Sequence, residues 1–162
     1  MAMMIYLDQI QPEPKLFPQE PFLRAKVFEI CEAINSGIQP LQNTAVAAEL
    51  TRQFKADDQQ KTQWNKYWIH KGLVALEENL SREHGPYSFG SNVTAADLFL
   101  VPQLFAARRF VGPTETFTRL TAIEAECMKL EAFRRAEPSV QPDANARSFS
   151  CDRRQAIKPK RE

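Results

Sequence analysis

Apolar residues along the chain recur at intervals of three and four, which is the spacing of one helix face. Only five of the 162 residues are glycine, so few positions interrupt this pattern. The pattern predicts helices throughout. Residues 2–10 are predicted to be the end of a helix, stopped by Pro12 and Pro14, and a second helix begins at Pro21. The predicted core stripe of this second helix is Phe22, Ala25, Val27, Phe28, Cys31 and Ile34.

A break is predicted further along the second helical stretch. Residues 35–37 weaken the helix, and Pro40 forces a kink or break within residues 38–43. The chain is then expected to resume as a helix to about Phe54.

The longest predicted helix is capped by Asp57 or Asp58 and ends at Gly85. Gly72 would allow another helix to cross it closely. Its apolar face consists of Trp64, Trp68, Ile69, Leu73, Leu76 and Leu80.

Residues 89–98 contain nearly all the sequence signals of a helix N-terminus. Thr94 is expected to cap the first turn, and Asp97 to accept a hydrogen bond from the Thr94 N–H, which is a capping box. Val93 and Leu98 are placed to touch as a hydrophobic staple. The pattern predicts a well-started helix and no chemistry.

This capped helix should run to Val111, with a bend at Pro102, which removes a backbone hydrogen bond. Two short helices are expected at about 118–128 and 130–136. The chain then becomes polar and aperiodic, and residues 144–162 are predicted to be a disordered tail.

The composition is that of an ordinary globular protein, with 43% hydrophobic and 10% aromatic residues. The formal net charge of +1 gives no bulk attraction to nucleic acid or acidic lipid. Six basic and two acidic residues follow position 146, so the tail carries +4 and residues 1–146 carry −3. We expect neither a nucleic-acid nor a membrane partner.

Three widely spaced cysteines, Cys31, Cys127 and Cys151, predict neither a disulfide framework nor a zinc site. Cys31 lies on an apolar stripe, with no neighbouring His or Lys, which favours a core residue over a nucleophile. The first residues lack the basic region of a signal peptide, and no run approaches the ~20 apolar residues of a membrane span. A cytoplasmic protein without a metal site is expected.

The motif Gly-x-x-x-Thr-x-Ala-Asp-Leu at residues 90–98, opening an apolar helix, resembles the core helix of the C-terminal domain of glutathione S-transferases, in which the buried Asp serves folding. The block Ile-Gln-Pro-Leu-Gln-Asn at residues 38–43 is similar to the zeta class, the maleylacetoacetate isomerases. The resemblance covers residues 2–143 and implies an all-α, glutathione S-transferase C-terminal-like helical bundle. Other stretches that resemble the zeta class are 2–12, 16–19, 101–103, 109–110, 130–138 and 141–143.

In this family glutathione binds mainly in an N-terminal thioredoxin-like domain of roughly 80 residues, an ordinary domain size. The chain contains no βαβ pattern and no Ser-Ser-Cys motif, so that domain is expected to be absent from it. The resemblance implies that residues 1–11 are the remnant last helix of that domain. Residues 12–143 would form the helical domain, and residues 144–162 a disordered basic tail.

Gln39 and Asn43 flank the proline-induced break, where side chains and free backbone groups can point at a ligand. From the residues alone, helix-end capping is an equal alternative. The resemblance implies that Gln39, Asn43, Thr44 and Ala45 contact glutathione. The family often has a hydroxyl residue where Ala45 stands, so a contact there would use the backbone.

Arg109 follows Arg108 near the end of the capped helix. A solvated surface arginine is the usual explanation, but the resemblance implies that Arg109 binds a carboxylate of a dicarboxylic substrate. A guanidinium offers two parallel donors that suit a carboxylate. Arg108 is expected on the solvent side, and no residue of the chain is expected to be catalytic.

The resemblance implies a homodimeric, glutathione-dependent isomerase that converts maleylacetoacetate to fumarylacetoacetate in phenylalanine and tyrosine catabolism. Without the thiolate-activating domain, the chain is expected to be inactive or nearly so, and to bind glutathione weakly or not at all. The alternative is a non-catalytic interaction module of the same fold, with an exposed apolar patch.

Overall fold

A computed structural model describes residues 1–11, 13–142 and 144. All regular elements within these residues are helical, which confirms the all-α prediction. Cys151 and the predicted tail beyond residue 144 lie outside the described residues. The α-helices are α1 (Ala2–Ile10), α2 (Pro21–Glu32), α3 (Thr44–Phe54), α4 (Asp58–Leu80), α5 (Ala95–Phe110), α6 (Thr118–Cys127) and α7 (Glu131–Ala136).

The chain divides into two compact units, Met1–Cys127 and a second that begins at Met128. In the first unit, α5 packs against α2, α4 and α6. The side chains that these helices bury include Val27, Ile30, Ile34, Ile69, Leu73, Leu76, Leu100, Leu104, Leu120 and Ile123. In the second unit, α7 is followed by a 3₁₀ turn at Pro138–Val140, and Arg134 donates to the Lys129 carbonyl at 2.7 Å.

Helix starts follow local side-chain chemistry. Pro21 opens α2, as predicted, after Glu20, whose carboxylate accepts from the Phe22 N–H at 2.8 Å. Of the two candidate caps for α4, Asp57 is the one used. It accepts from the Gln60 N–H at 2.8 Å, while the Gln60 side chain accepts from the Asp57 N–H at 2.9 Å.

The predicted core stripe of α2 is partly wrong. Phe22 is 74% exposed and Ala25 is also exposed, whereas Ile30, which the prediction omitted, is buried. At about 100° per residue, Phe22 and Ala25 point away from the buried face. That face consists of Val27, Ile30, Cys31 and Ile34.

The capping box at the start of α5 is confirmed. Asp97 is fully buried, and its carboxylate accepts from the Thr94 N–H at 2.8 Å. It also accepts from the Ser88 N–H at 2.8 Å, a bond that the local pattern did not predict. The Asp97 carboxylate therefore fixes both the first turn of α5 and the loop before that helix. The helix is continuous through Pro102, and the bend there stays a prediction.

A short hydrogen-bonded path joins α1 to α5. The buried Asp8 carboxylate accepts from the Leu16 N–H at 2.7 Å, and the Leu16 carbonyl accepts from the Ala95 N–H at 2.9 Å. The helices within the described residues lack the combination of length and apolar character that a membrane span requires.

Candidate functional site

The predicted break near Pro40 is a change of helical pitch. α2 continues as a π-helix over Ala33–Ile38 and then as a 3₁₀ turn over Gln39–Gln42. The Gln39 N–H donates to the Ile34 carbonyl, five residues back. In an α-helix the Pro40 ring would clash with the carbonyl of Ser36, and the wider turn relieves that clash. The chain therefore stays helical up to the candidate site.

Asn43 ends this turn and caps α3. Its side-chain oxygen accepts from the Ala45 N–H at 2.9 Å, so the capping role considered as an alternative is present. Asn43, Thr44 and Ala45 are all exposed at the N-terminus of α3, where the helix dipole carries partial positive charge. The capping bond and a ligand contact are compatible, since a helix N-terminus has several free N–H groups.

α4 holds the turn from one side. The Trp64 indole N–H donates to the Leu41 carbonyl at 2.8 Å. Ile38 is buried directly on Gly72, where a Cβ would lie 2.4 Å from the Ile38 Cδ1 atom. The predicted close crossing at Gly72 is confirmed, and its partner is the segment that carries Gln39.

α5 holds the same turn through a buried glutamine that the sequence analysis missed. The Oε1 atom of Gln103 accepts from Gln39 Nε2 at 2.7 Å and from Gln42 Nε2 at 3.4 Å. Gln103 is fully buried, whereas Gln39 is exposed. Two sequence signals pointed to Gln103: its place in the stretch 101–103 that resembles the zeta class, and its polar side chain among apolar positions of α5. Nothing local indicated its partners, which are more than 60 positions away.

The two adjacent arginines of α5 lie in different environments. Arg108 binds the Glu124 carboxylate of α6 through both guanidinium nitrogens, one at 3.0 Å, and this carboxylate raises the pKa of Arg108. Arg108 is exposed, as expected for the solvent side, and the ion pair with Glu124 is an addition that the sequence did not predict. Arg109 is exposed, with its guanidinium carbon 5.8 Å from the Phe110 ring centroid.

Arg109 shares an exposed face of α5 with apolar neighbours. Phe105, one turn earlier, is 40% exposed, and Pro102 is exposed as well. This face combines a cation with apolar surface, which suits a small organic carboxylate.

Neither described cysteine has the character of a nucleophile. Cys31 and Cys127 are free and buried, and burial raises the pKa of each thiol to about 12. Both thiols therefore stay protonated near neutral pH. Among the described residues, no group of three His, Cys, Asp or Glu side chains is placed to hold a metal ion.

Comparisons with known proteins place the chain in one family, although no family model matches it. Two proteins of Drosophila melanogaster, described as probable maleylacetoacetate isomerases 1 and 2, are 38% and 42% identical to it over 142 residues. The match covers 88% of this chain but 55% and 60% of those proteins, so the chain spans little more than half of their length.

A solved structure supports the same assignment. The maleylacetoacetate isomerase from Anaeromyxobacter dehalogenans, crystallised with dicarboxyethyl glutathione and citrate in the active site, has a TM-score of 0.84 and 37% sequence identity. The match covers 91% of this chain and 67% of that one. The chain therefore belongs to the family of the maleylacetoacetate isomerases, the zeta-class glutathione S-transferases.

Proposed function

We propose that this chain is the helical part of a glutathione-dependent cis–trans isomerase that acts on a small dicarboxylic substrate. The observation that carries the proposal is the Anaeromyxobacter relative, whose active site holds glutathione conjugated to a dicarboxyethyl group. Maleylacetoacetate is the substrate implied by the names of the relatives. A homodimer remains part of the proposal.

The proposed reaction needs a thiolate, a bound substrate with a cis double bond, and free rotation about the single bond that the addition creates. The glutathione sulfur adds to the cis double bond, forming a C–S bond and leaving a single bond about which the substrate rotates. The thiolate then leaves and the trans double bond forms. In this scheme the chain positions both reactants, which lowers the entropic barrier.

The glutathione contacts are assigned to the turn between α2 and α3. Gln39 is exposed but tethered at its amide, so it offers a fixed polar group to a peptide. The exposed N-terminus of α3, at Asn43, Thr44 and Ala45, suits a carboxylate of glutathione, since N–H groups and the helix dipole both favour an anion.

The substrate carboxylate is assigned to Arg109. Arg109 lies on the exposed face of α5 next to Phe105. A bidentate guanidinium–carboxylate pair would orient the substrate on this wall.

The thiol-activating residues are proposed to lie in a thioredoxin-like domain outside these 162 residues. The apolar face of α1 supports this, because its side chains are between 51% and 79% exposed and suit packing against another domain. We therefore expect no turnover from the chain alone. The exposed face consists of Met3, Tyr6, Leu7 and Ile10.

The same α1 face favours a second candidate function, that of a non-catalytic interaction module. In that case α1 would dock a protein partner, and the turn between α2 and α3 would bind no glutathione.

Titration of the ¹⁵N-labelled chain with glutathione, followed by NMR, tests the proposal. We expect amide shifts at residues 39 and 43–45, with a dissociation constant in the millimolar range. S-methylglutathione is the matched control and should bind equally, because these contacts use the peptide and its carboxylates. Micromolar binding, or shifts elsewhere, would show that the site is misplaced. No shifts at any concentration would favour the interaction module.

A further inference from the structure

Three glutamine side chains, Gln39, Gln42 and Gln103, meet between the turn and α5, and we call them the glutamine cluster. The Gln103 Oε1 atom accepts both bonds, at 2.7 Å from Gln39 and 3.4 Å from Gln42. The three residues differ in exposure, because Gln103 is fully buried, Gln42 half-buried and Gln39 exposed. The cluster therefore links the protein core directly to a surface side chain.

Stability does not explain a glutamine at position 103. Its Nε2 atom is buried without a hydrogen-bond partner among the described residues, and so is the Oε1 atom of Gln42. An unpaired buried amide lowers the free energy of unfolding. The neighbours of Gln103 on the inner face of α5, Leu100, Leu104 and Ala107, are buried and apolar, so an apolar residue would suit this position better.

We propose that Gln103 is a positioning residue that fixes the orientation of Gln39 toward glutathione, an inference that rests on the proposed function. Gln103 takes the amino end of the Gln39 amide and thereby directs its carbonyl end away from the core. A carbonyl oxygen accepts from an N–H, and the peptide bonds of glutathione supply such donors. Exposed glutamine otherwise has much rotamer freedom to lose on binding, and the tether removes part of that loss in advance.

Side-chain NMR of the ¹⁵N-labelled chain tests the tether without ligand. We expect the Gln39 Nε2 group of the wild-type chain to be rigid, and Gln103→Met to lower its order parameter into the flexible range, below about 0.6. The melting temperature of Gln103→Met should be unchanged or higher, because the variant removes a buried unpaired amide. Gln42→Met is the matched control: it also removes a buried unpaired atom, but it leaves the Gln39 bond in place.

Two results would overturn the proposal. One is a flexible Gln39 side chain in the wild-type chain, and the other is an order parameter that Gln103→Met leaves unchanged. A purely structural role for Gln103 would instead lower the melting temperature without loosening Gln39. If Gln103→Met does not fold, Gln39→Met cuts the same bond from the exposed side. It must then shift the Gln103 side-chain amide signals, and their constancy would also overturn the proposal.

Titration with glutathione separates this inference from the proposed function. We expect Gln103→Met to weaken binding about three- to tenfold, because the untethered Gln39 side chain then loses its rotamer freedom on binding. The same change in a Gln39→Ala background should have no further effect, because Gln103 acts through Gln39. If Gln39→Ala itself leaves glutathione binding unchanged, the assignment of the site fails. If only Gln103→Met leaves it unchanged, the positioning role fails.

Discussion

Asp97 illustrates how one buried charge can organise its surroundings. Its carboxylate is fully buried, and it accepts from two backbone N–H groups and from the Thr94 hydroxyl at 3.2 Å. Such donors offset the cost of removing a charge from water. The residue therefore serves the fold, joining the loop at Ser88 to the first turn of α5.

Replacing Asp97 by Ala should lower the free energy of unfolding by about 3 kcal/mol or more, because two backbone donors to a charged acceptor lose their partner in the core. Urea denaturation measures this loss. Glu78→Ala is the control, because Glu78 is 71% exposed and forms a surface pair with Arg82, and it should change stability by less than about 0.5 kcal/mol. Equal stability of the Asp97→Ala variant and the wild-type chain would refute the role assigned to this carboxylate.

At the residue scale, contacts between residues that are close along the chain can be predicted from the sequence. Thr94 and Asp97 are three residues apart, and their residue types define the bond. Gln103 and its partner Gln39 are 64 positions apart, so no local pattern relates them. The ion pair of Arg108 with Glu124 likewise depends on how α5 packs against α6.

At the scale of elements, the path from α2 to α3 shows what the sequence leaves open. Pro40 predicts an interruption, because it cannot donate a backbone hydrogen bond. Whether the helix then ends, kinks or widens its turn depends on the helix that packs against it. Here the turn widens into a π-helix, and Ile38 fits against the bare backbone at Gly72. The packing of Ile38 against α4 therefore requires glycine at position 72.

Gly72→Ala should lower the free energy of unfolding by about 1–3 kcal/mol, because the new methyl group would overlap the Ile38 side chain. It should also shift the amide signals of residues 39–43, which follow Ile38 directly. The same substitution at Gly37 is the control, since a Cβ there meets nothing within 4 Å. Gly37→Ala should leave stability unchanged or raise it by up to about 1 kcal/mol. Denaturation and amide spectra of the two variants check this, and equal effects would contradict the packing argument.

α4 and α6 are joined by a reciprocal pair of caps. The Glu77 carboxylate of α4 accepts from the N–H groups of Arg119 and Leu120, at 2.9 and 3.0 Å, at the start of α6. The Arg119 side chain in turn donates to carbonyls at the end of α4 and in the following loop, including that of Tyr87 at 2.8 Å. Each helix satisfies unpaired backbone groups of the other, which fixes the start of α6 against the end of α4.

On the scale of the whole molecule, the candidate site consists of a surface turn and one helix face on a shared scaffold. α4 holds the turn through Trp64 and Gly72, while α5 supplies both Gln103 and, two turns later, Arg109. Arg109 lies six positions after Gln103, a rise of about 9 Å along the helix. In the proposed function Gln103 acts through Gln39 and Arg109 takes the substrate carboxylate, so one helix would relate the two contacts.

The resemblance of short motifs identified this fold and its family, because those motifs combine caps and turns that the helices require. It located Gln39, Asn43 and Arg109 along the chain but could not relate them in space. The orientation of each helix face depends on packing across the first unit, as the exposed Phe22 shows. The arrangement around Arg109 therefore has to be tested in the assembled protein.

Arg109 should determine substrate binding once this chain is joined to a glutathione-binding domain of the family. A hydrogen bond from a guanidinium to a carboxylate is worth about 1.5–3 kcal/mol, so Arg109→Ala should lower kcat/KM about ten- to more than hundredfold. The KM for glutathione should not change. Arg108→Ala is the matched control: it breaks the pair with the 12%-exposed Glu124 and should lower stability by about 1–2 kcal/mol, with little effect on kcat/KM. Steady-state kinetics and urea denaturation of both variants separate these effects. If Arg108→Ala instead lowers kcat/KM, the carboxylate anchor has been assigned to the wrong face of α5.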